Sequence, residues 1–178
     1  MNYTKLFINE LSNKTNFIGY NLEKMVRLLN ILEFIFSKSS FANDVVLKGG
    51  TAINLVHTDL KRLSVDIDLD YQGSLDKNKA ASDRENIISE LDKFMTNEGY
   101  SVSFKSRNSV ALLSRLYRYN NAFGNIDYIK VEINFMDRIS IYPPSNCVVN
   151  QFNKTTQVKI PAKEELYAMK ICALIDRS

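Results

Sequence analysis

The sequence of 178 residues contains one histidine and two cysteines, and this scarcity limits the chemistry open to it. Histidine-based zinc sites need several ligands, and a Ser/His/Asp triad needs its histidine beside two partners. His57 alone nearly excludes both, and we expect it to be a surface or loop residue. Cys147 and Cys172 form no CxxC pair, so we expect reduced, buried thiols.

Long apolar runs are also missing. No run approaches the roughly 20 residues of a membrane-spanning helix, and the first residues lack the apolar segment of a signal peptide. Hydrophobic residues make up 45% of the chain, and the net charge is +3. We therefore expect a cytoplasmic protein without a membrane partner. Its mild positive charge is compatible with a nucleotide or nucleic-acid partner.

The sequence lacks the two best-known phosphate-binding motifs, GxxxxGK[ST] and GxGxxG. It contains instead Lys48, Gly49, Gly50 and Thr51, between a predicted strand (44–48) and a predicted helix start. Paired glycines allow the backbone to approach a ligand closely, and a helix N-terminus suits a phosphate. Because glycine also marks ordinary turns, this motif alone leaves both interpretations open.

Three aspartates alternate in the next predicted strand, residues 64–71. Asp66, Asp68 and Asp70 would share one face of the strand, although Asp disfavours strands and like charges on one face repel. This pattern predicts a cation over that face. Beside a glycine loop, paired carboxylates favour a reaction of a nucleoside triphosphate that depends on one or two Mg²⁺ ions.

A third carboxylate is expected from the predicted strand that contains Glu132. Val131 and Ile133 flank it, so its face would also carry Lys130 and Asn134. We interpret Glu132 as a further metal ligand; a surface residue is the alternative.

The order of predicted elements favours an α/β (α+β) fold, with a mixed β-sheet flanked by helices. Helices are predicted over 21–38, with Asn21 as the N-cap, over 83–98, and after Pro161. Residues 72–82 read as a polar loop, and strands dominate after residue 100. We divide the chain into N-terminal helices (1–40), a catalytic core (41–160) and the start of a C-terminal helical region (161–178).

Two motifs together resemble the AbiEii/AbiGii nucleotidyltransferase toxin family, within the DNA polymerase β-like nucleotidyltransferase superfamily. The first is KGGT at 48–51, and the second is R-x-S-x-D-I-D at 62–68. The segment EELYAMK at 164–170 resembles a family segment whose lysine, here Lys170, is functionally important. The resemblance implies a nucleotidyltransferase-like fold.

The resemblance also implies a toxin that transfers a nucleotide from an NTP to an acceptor, with tRNA expected, and that is paired with a cognate antitoxin. Asp66, Asp68 and Glu132 would hold two Mg²⁺ ions, and Lys170 would reach the phosphates. The residues expected to bind the nucleotide are Lys48, Gly49, Gly50, Thr51, Arg62 and Ser64. For Arg62 and Lys170, a structural ion pair or a solvated position is the alternative.

Two other functions stay open at this point: a catalytically inactive, nucleotide-binding remnant and a DxD-type glycosyltransferase. The resembled family continues beyond the lysine helix, whereas this sequence ends at Ser178 without a glycine cap. We therefore expect a truncated C-terminal region and poor transfer activity. We also expect Ile171, Ala173 and Leu174 to pack on the catalytic core or on a second copy in a homodimer.

Overall fold

Five α-helices and eight strands form the part of the chain that the computed structural model describes, residues 3–15, 17–58 and 64–175. The helices are α1 (Lys5–Thr15), α2 (Gly19–Ser37), α3 (Gly49–Ala52), α4 (Lys77–Asn97) and α5 (Lys163–Ile175). The strands are β1 (Val45–Lys48), β2 (Ile67–Tyr71), β3 (Ser101–Val102), β4 (Arg107–Asn108), β5 (Leu112–Asn120), β6 (Ile126–Asn134), β7 (Ser145–Gln151) and β8 (Lys154–Ile160).

The main sheet is mixed, which confirms the predicted fold class. Its strand order is β1-β2-β6-β5-β3, and β4 pairs with β5 beside β3. β2 and β6 are parallel, whereas β1 runs antiparallel to β2 and β5 antiparallel to β6. β7 and β8 form a separate antiparallel hairpin. The parallel pair in the middle of the sheet places the carboxyl ends of β2 and β6 side by side.

Strand β6 shows why the sheet has one apolar and one polar face. Ile129, Val131 and Ile133 are buried, while the alternating Lys130 and Glu132 are partly exposed. Side chains of a strand alternate between its two faces, so the apolar face joins the core and the polar face is free to build a site.

The core lies mainly between helix α2 and the sheet. Leu28 and Leu32 of α2 are fully buried in the same cluster as Ile67 and Leu69 of β2. Each such side chain contributes roughly 1.5–3 kcal/mol when it is removed from water. This packing holds β2 firmly, and the polar residues of β2 are positioned with it.

Two helix boundaries differ from the prediction. Helix α2 begins at Gly19 after Ile18, whose carbonyl accepts from the N–H groups of Asn21 and Leu22 at 3.0 and 3.1 Å, so Asn21 is not the N-cap. Helix α4 begins at Lys77 because the Asp76 carboxylate accepts from the N–H of the third helical residue. The predicted loop 72–82 is therefore too long.

Two expectations about buried side chains are wrong. Ile171 and Leu174 are 57% and 61% exposed, so their expected packing on the catalytic core is wrong. Cys172 is exposed and Cys147 is only partly buried, so neither thiol is buried as we expected. A second copy over α5 stays a prediction, as does the division at residues 40 and 160.

His57 is partly buried at the end of a π-helical turn that follows α3, rather than in a loop. Within the described ranges, no helix is both long enough and apolar enough to cross a bilayer.

Candidate active site

A cleft of about 530 Å³ lies where the carboxyl ends of β1 and β6 meet Asp68 and Leu69 of β2, and helix α5 lines one side of it. Six of the residues predicted from the sequence line this cleft: Lys48, Gly49, Gly50, Asp68, Glu132 and Lys170. The other lining residues are Leu69, Leu112, Asn134, Asp137, Leu166, Met169, Cys172 and Ala173. The fold thus brings the glycine loop, Asp68 and the distant Glu132 onto one concave surface.

Asp68 and Glu132 form the acidic centre of the cleft. They are register partners on the adjacent parallel strands β2 and β6, and both are partly exposed. Burial raises the pKa of Asp68 above its usual range, and the nearby Glu132 and Asp66 carboxylates raise it further, against the opposing effects of Lys130 and Lys48. The crowding of acids inferred from the sequence is therefore present in the fold.

Asp70 lies on the same strand but has a different environment. It is almost completely buried, and its Oδ1 accepts from the Lys48 Nζ and, at 2.9 Å, from the Asn134 Nδ2. Burial raises the pKa of Asp70 although both donors act to lower it. Lys48 therefore supplies part of the positive charge that the alternating aspartates predicted.

Glu132 already has a cationic neighbour, Lys130, two positions earlier on β6. The Lys130 Nζ lies 2.7 Å from the Glu132 Oε2. Burial lowers the pKa of Lys130, but the hydrogen bond to Glu132 and the charges of Glu132, Asp66 and Asp68 together raise it. Lys130 therefore stays protonated and partly neutralises the acidic centre.

The donor set fits a hard divalent cation such as Mg²⁺, which prefers carboxylate oxygens. Asp68 and Glu132 lie side by side, and Asp66 is close enough to raise the pKa of Asp68. In the described ranges, no three acidic, histidine or cysteine side chains are already arranged as metal ligands. A cation bound at Glu132 would compete with its ion pair to Lys130.

Gly49 brings the backbone directly against Asp68. Its φ is +70°, a conformation that favours glycine, and a Cβ added to it would lie 2.4 Å from the Asp68 Oδ2. Both facts require glycine at this position. The helix that follows is short, since α3 covers four residues before the π-helical turn Ile53–His57.

Thr51 and Ser64 support the entry to β2. The Thr51 side chain is buried, and its hydroxyl donates to the Asp66 carbonyl and lies 3.1 Å from the Ser64 Oγ. Thr51, Ser64 and Asp66 are not among the residues that line the cleft. Arg62 lies in the segment 59–63, outside the described residues.

Lys170 projects from the exposed face of α5 and lines the cleft with Met169. In the part of the chain that the structure describes, no carboxylate forms an ion pair with it. Its ammonium group is thus available to an anionic ligand in the cleft.

Sequence reasoning missed a polar bridge at the end of β6. The Asn134 Nδ2 donates at 2.9 Å to both Asp70 and Asp137, and Asn134 and Asp137 both line the cleft. The alternation in β6 placed Asn134 on the correct face. Asp137 follows the strand in an irregular segment, where no periodic signal identifies it.

Solved structures with the same fold include JHP933 from Helicobacter pylori, at 20% identity and a TM-score of 0.60, over 86% of this chain and 57% of that chain. Another is MenT4, the nucleotidyltransferase toxin Rv2826c from Mycobacterium tuberculosis H37Rv, at 16% identity and a TM-score of 0.66, over 95% of this chain and 58% of that chain. The present chain spans about three fifths of these proteins. At such identities the similarity establishes the fold alone.

No curated protein matches this sequence. Residues 30–178 match the model described as the nucleotidyl transferase AbiEii toxin of type IV toxin–antitoxin systems. This match covers most of the chain, including the glycine loop, the aspartates, Glu132 and Lys170. The chain therefore belongs to the AbiEii nucleotidyltransferase toxin family.

Proposed function

We propose that this chain transfers a nucleotide from an NTP to an RNA acceptor. The observation that carries the proposal is the pairing of Asp68 with Glu132 on neighbouring parallel strands, in a cleft that also presents the glycine loop and Lys170. Carboxylates for a cation, backbone groups for phosphates and a free ammonium group are the parts that this chemistry needs.

In the proposed reaction, a hydroxyl oxygen of the acceptor forms a bond to the α-phosphorus of the NTP. The bond from that phosphorus to the bridging oxygen of the β-phosphate breaks, and pyrophosphate leaves with the electron pair. The hydroxyl proton is released to water. Lys170 neutralises the leaving pyrophosphate, while Gly49 and Gly50 allow the triphosphate to lie close to the backbone.

Asp66, Asp68 and Glu132 are the residues proposed to hold Mg²⁺, with two ions expected. When bound, Mg²⁺ would stabilise the charge on the attacking and leaving oxygens. The ion pair of Lys48 with Asp70 holds Lys48 at the edge of the cleft, and Thr51 and Ser64 fix the strand that carries the acids. A role for Arg62 in phosphate binding stays a prediction from its motif.

The acceptor and the cellular partners belong to the same proposal. Membership of a toxin family of type IV toxin–antitoxin systems supports a cognate antitoxin as partner. A tRNA acceptor is the expectation raised by the motif resemblance, and the mildly basic chain is compatible with RNA.

The decisive experiment incubates the chain with Mg²⁺, total tRNA and each labelled NTP in turn. We expect label on the RNA with the wild-type chain and none with Asp68→Asn, because the variant loses a charge that holds the cation. Asp127→Asn is the matched control, since Asp127 lies at the opposite end of β6 and pairs with Lys24.

Other outcomes of this assay separate the alternatives. NTP binding without transfer would identify a catalytically inactive, nucleotide-binding protein. A parallel incubation replaces the NTP with a labelled nucleotide-sugar, and transfer from that donor alone would identify a DxD-type glycosyltransferase. Undiminished transfer by Asp68→Asn would remove the carboxylate from the mechanism.

A further inference from the structure

A second cavity, of about 410 Å³, lies next to the cleft on the other side of the segment that follows β6. Asn134, the last residue of β6, and Asp137 line the cleft, whereas Phe135, Met136 and Arg138 line the second cavity. The remaining walls are one face of α4, from Lys77 to Glu85, and residues 108–110. The two cavities therefore share a single wall.

The second cavity carries an excess of positive charge. Its lining includes the cations Lys77, Arg84 and Arg138 and one acid, Glu85. Arg138 donates through its Nη1 to the carbonyls of Ser74 and Leu75, at 3.2 and 3.0 Å. A cavity with this balance of charges favours an anionic ligand.

Arg84 is the strongest part of this argument. The residue is 7% exposed, and its guanidinium donates to the Val110 carbonyl at 2.9 Å and to the Asn108 Oδ1. The group also lies 5.0 Å from the Phe135 ring centroid. All these partners are neutral, and Arg84 forms no ion pair in the described ranges. The charge of Glu85 acts on Arg84, but it does not pair with it. A buried cation without a paired carboxylate is costly, so a bound anion would stabilise it.

Apart from the polar Asn108 and Ser109, the rest of the lining is apolar. Ala80 and Ala81 lie on the α4 side, and Val110 and Met136, opposite, are 82% and 67% exposed. Inorganic phosphate would use only the cations. A ligand that uses both parts has an apolar face beside a phosphate, as a nucleotide of single-stranded RNA does.

We propose that the second cavity binds a nucleotide of the acceptor RNA, next to the end that reacts in the cleft. Its cations contact the phosphodiester, and its apolar residues contact the base or ribose. The inference rests on the proposed function, because it takes RNA as the acceptor. It extends that function by assigning RNA binding to a surface separate from the carboxylates.

Ala81→Glu tests this site with little risk to the fold. Ala81 is an exposed residue inside α4, where Glu is a good helix former, and the new carboxylate would add a bulky negative charge to the cavity. Ser82→Glu is the matched control, because it makes the same charge change one position along the helix at a residue that does not line the cavity. Thermal melts compare the folding of both variants.

Binding of a fluorescein-labelled oligouridylate is measured by anisotropy over a range of salt concentrations, without NTP. We expect Ala81→Glu to weaken binding about tenfold and to reduce the slope of log K against log salt by about 0.7, the share of one phosphate contact. Ser82→Glu should stay within about twofold of the wild type. If Ala81→Glu destabilises the chain, Lys77→Gln replaces it, with Lys93→Gln on the same helix as its control.

Equal RNA affinities of Ala81→Glu and Ser82→Glu would overturn the inference. ATP and inorganic phosphate are titrated separately; a loss of ATP or phosphate affinity in Ala81→Glu, with RNA binding unchanged, would assign the cavity to a free anion and would also overturn it. If Ala81→Glu weakens RNA binding but the wild-type chain transfers no label, only the proposed function is contradicted. Normal transfer and normal RNA binding by Ala81→Glu would contradict only this inference.

Discussion

Two clusters of charged side chains, one in the core and one in the cleft, show how this fold treats charge in different ways. In the core, Glu23 and Arg27 of α2 are buried and pair at 2.8 Å. The second Glu23 oxygen accepts from the Ala122 N–H at 2.8 Å. Arg27 also donates to the Tyr100 hydroxyl at 3.1 Å and lies 4.1 Å from the Tyr119 ring centroid.

In the cleft, charge is only partly compensated. Asp68 and Glu132 are neighbours of the same sign, and the ion pair of Glu132 with Lys130 is partly exposed to solvent. Burial and both neighbouring acids raise the pKa of Asp68, which means that its charged form is disfavoured as the chain folds.

The core cluster is built to stabilise the fold, whereas the carboxylates of the cleft are suited to bind a cation. A buried pair with all its hydrogen bonds made is hard to break, because removal of one partner strands the other charge. A crowded pair of carboxylates destabilises the folded chain, so the folded chain becomes more stable when one charge is removed or when a cation binds. The two clusters should therefore respond in opposite directions to the same substitution of an acid by its amide.

The largest expected effect is the loss of stability in Glu23→Gln. The change keeps the shape of the side chain but leaves the buried Arg27 charge without its carboxylate, at a cost of about 3–5 kcal/mol in the free energy of unfolding. Urea denaturation measures it. Glu33→Gln on the same helix is the control, since its pair with Lys38 is exposed and should contribute less than about 1 kcal/mol.

Asp68→Asn completes this comparison in the same denaturation experiment. Its free energy of unfolding should be unchanged or higher than that of the wild type. A loss as large as that of Glu23→Gln would show that Asp68 supports the fold, and the contrast between the two clusters would be wrong.

A smaller effect is expected from Gly49→Ala, which acts on the cleft through the backbone. The positive φ costs roughly 1–2 kcal/mol for a residue with a Cβ, and the contact at 2.4 Å forces the Asp68 carboxylate or the loop to move. We expect a loss of about 1–3 kcal/mol in stability, because strain and displacement add. Transfer activity should fall as well.

Gly99→Ala separates the backbone strain at a positive φ from the displacement of Asp68. Gly99 has a φ of +85°, but a Cβ added there meets no heavy atom within 4 Å. It should lose stability through backbone strain alone and keep its transfer activity. Equal activities in the two variants would contradict the idea that Gly49 positions Asp68.

Much of the acidic centre could be predicted from the sequence because its signals are local. The alternation of Asp66, Asp68 and Asp70 fixes which side chains share a strand face, and the apolar neighbours of Glu132 fix its face. The sheet order that places Glu132 beside Asp68 depends on pairing between residues 64 positions apart in the chain. Periodicity does not show this pairing, and only the need of a metal site for a third carboxylate suggested it.

The parts that could not be predicted depend on tertiary contacts or on competing local caps. Nothing near Lys48 in the sequence shows that Asp70 pairs with it rather than lining the cleft. The early start of α4 comes from the Asp76 cap, in a segment whose polar composition is typical of a loop. The second cavity combines α4 with residues that follow β4 and β6, and no single motif marks it.

The smallest effect expected is a pH-dependent stabilisation by Mg²⁺. Burial raises the pKa of Asp68 in the folded chain above the ordinary value of an aspartate, and it raises the pKa of Asp70 as well. Between the unfolded and the folded pKa of each group, the folded chain therefore holds more protons than the unfolded chain. Its stability falls as pH rises through that window. Mg²⁺ binds the ionised carboxylates, so its stabilisation should be full above the folded pKa and lost below it.

Thermal melts with and without Mg²⁺, from about pH 4 to about pH 8, measure this shift, since carboxylates titrate near the lower end of that range. We expect Mg²⁺ to raise Tm by about 2–4 °C at the upper end, which corresponds to about 1 kcal/mol for a chain of this size. Asp68→Asn should abolish the shift, because it removes the charge at the centre of the site, whereas Glu23→Gln should keep it despite its lower Tm. A Mg²⁺ effect that is independent of pH, or equal in Asp68→Asn, would place the cation elsewhere on the chain.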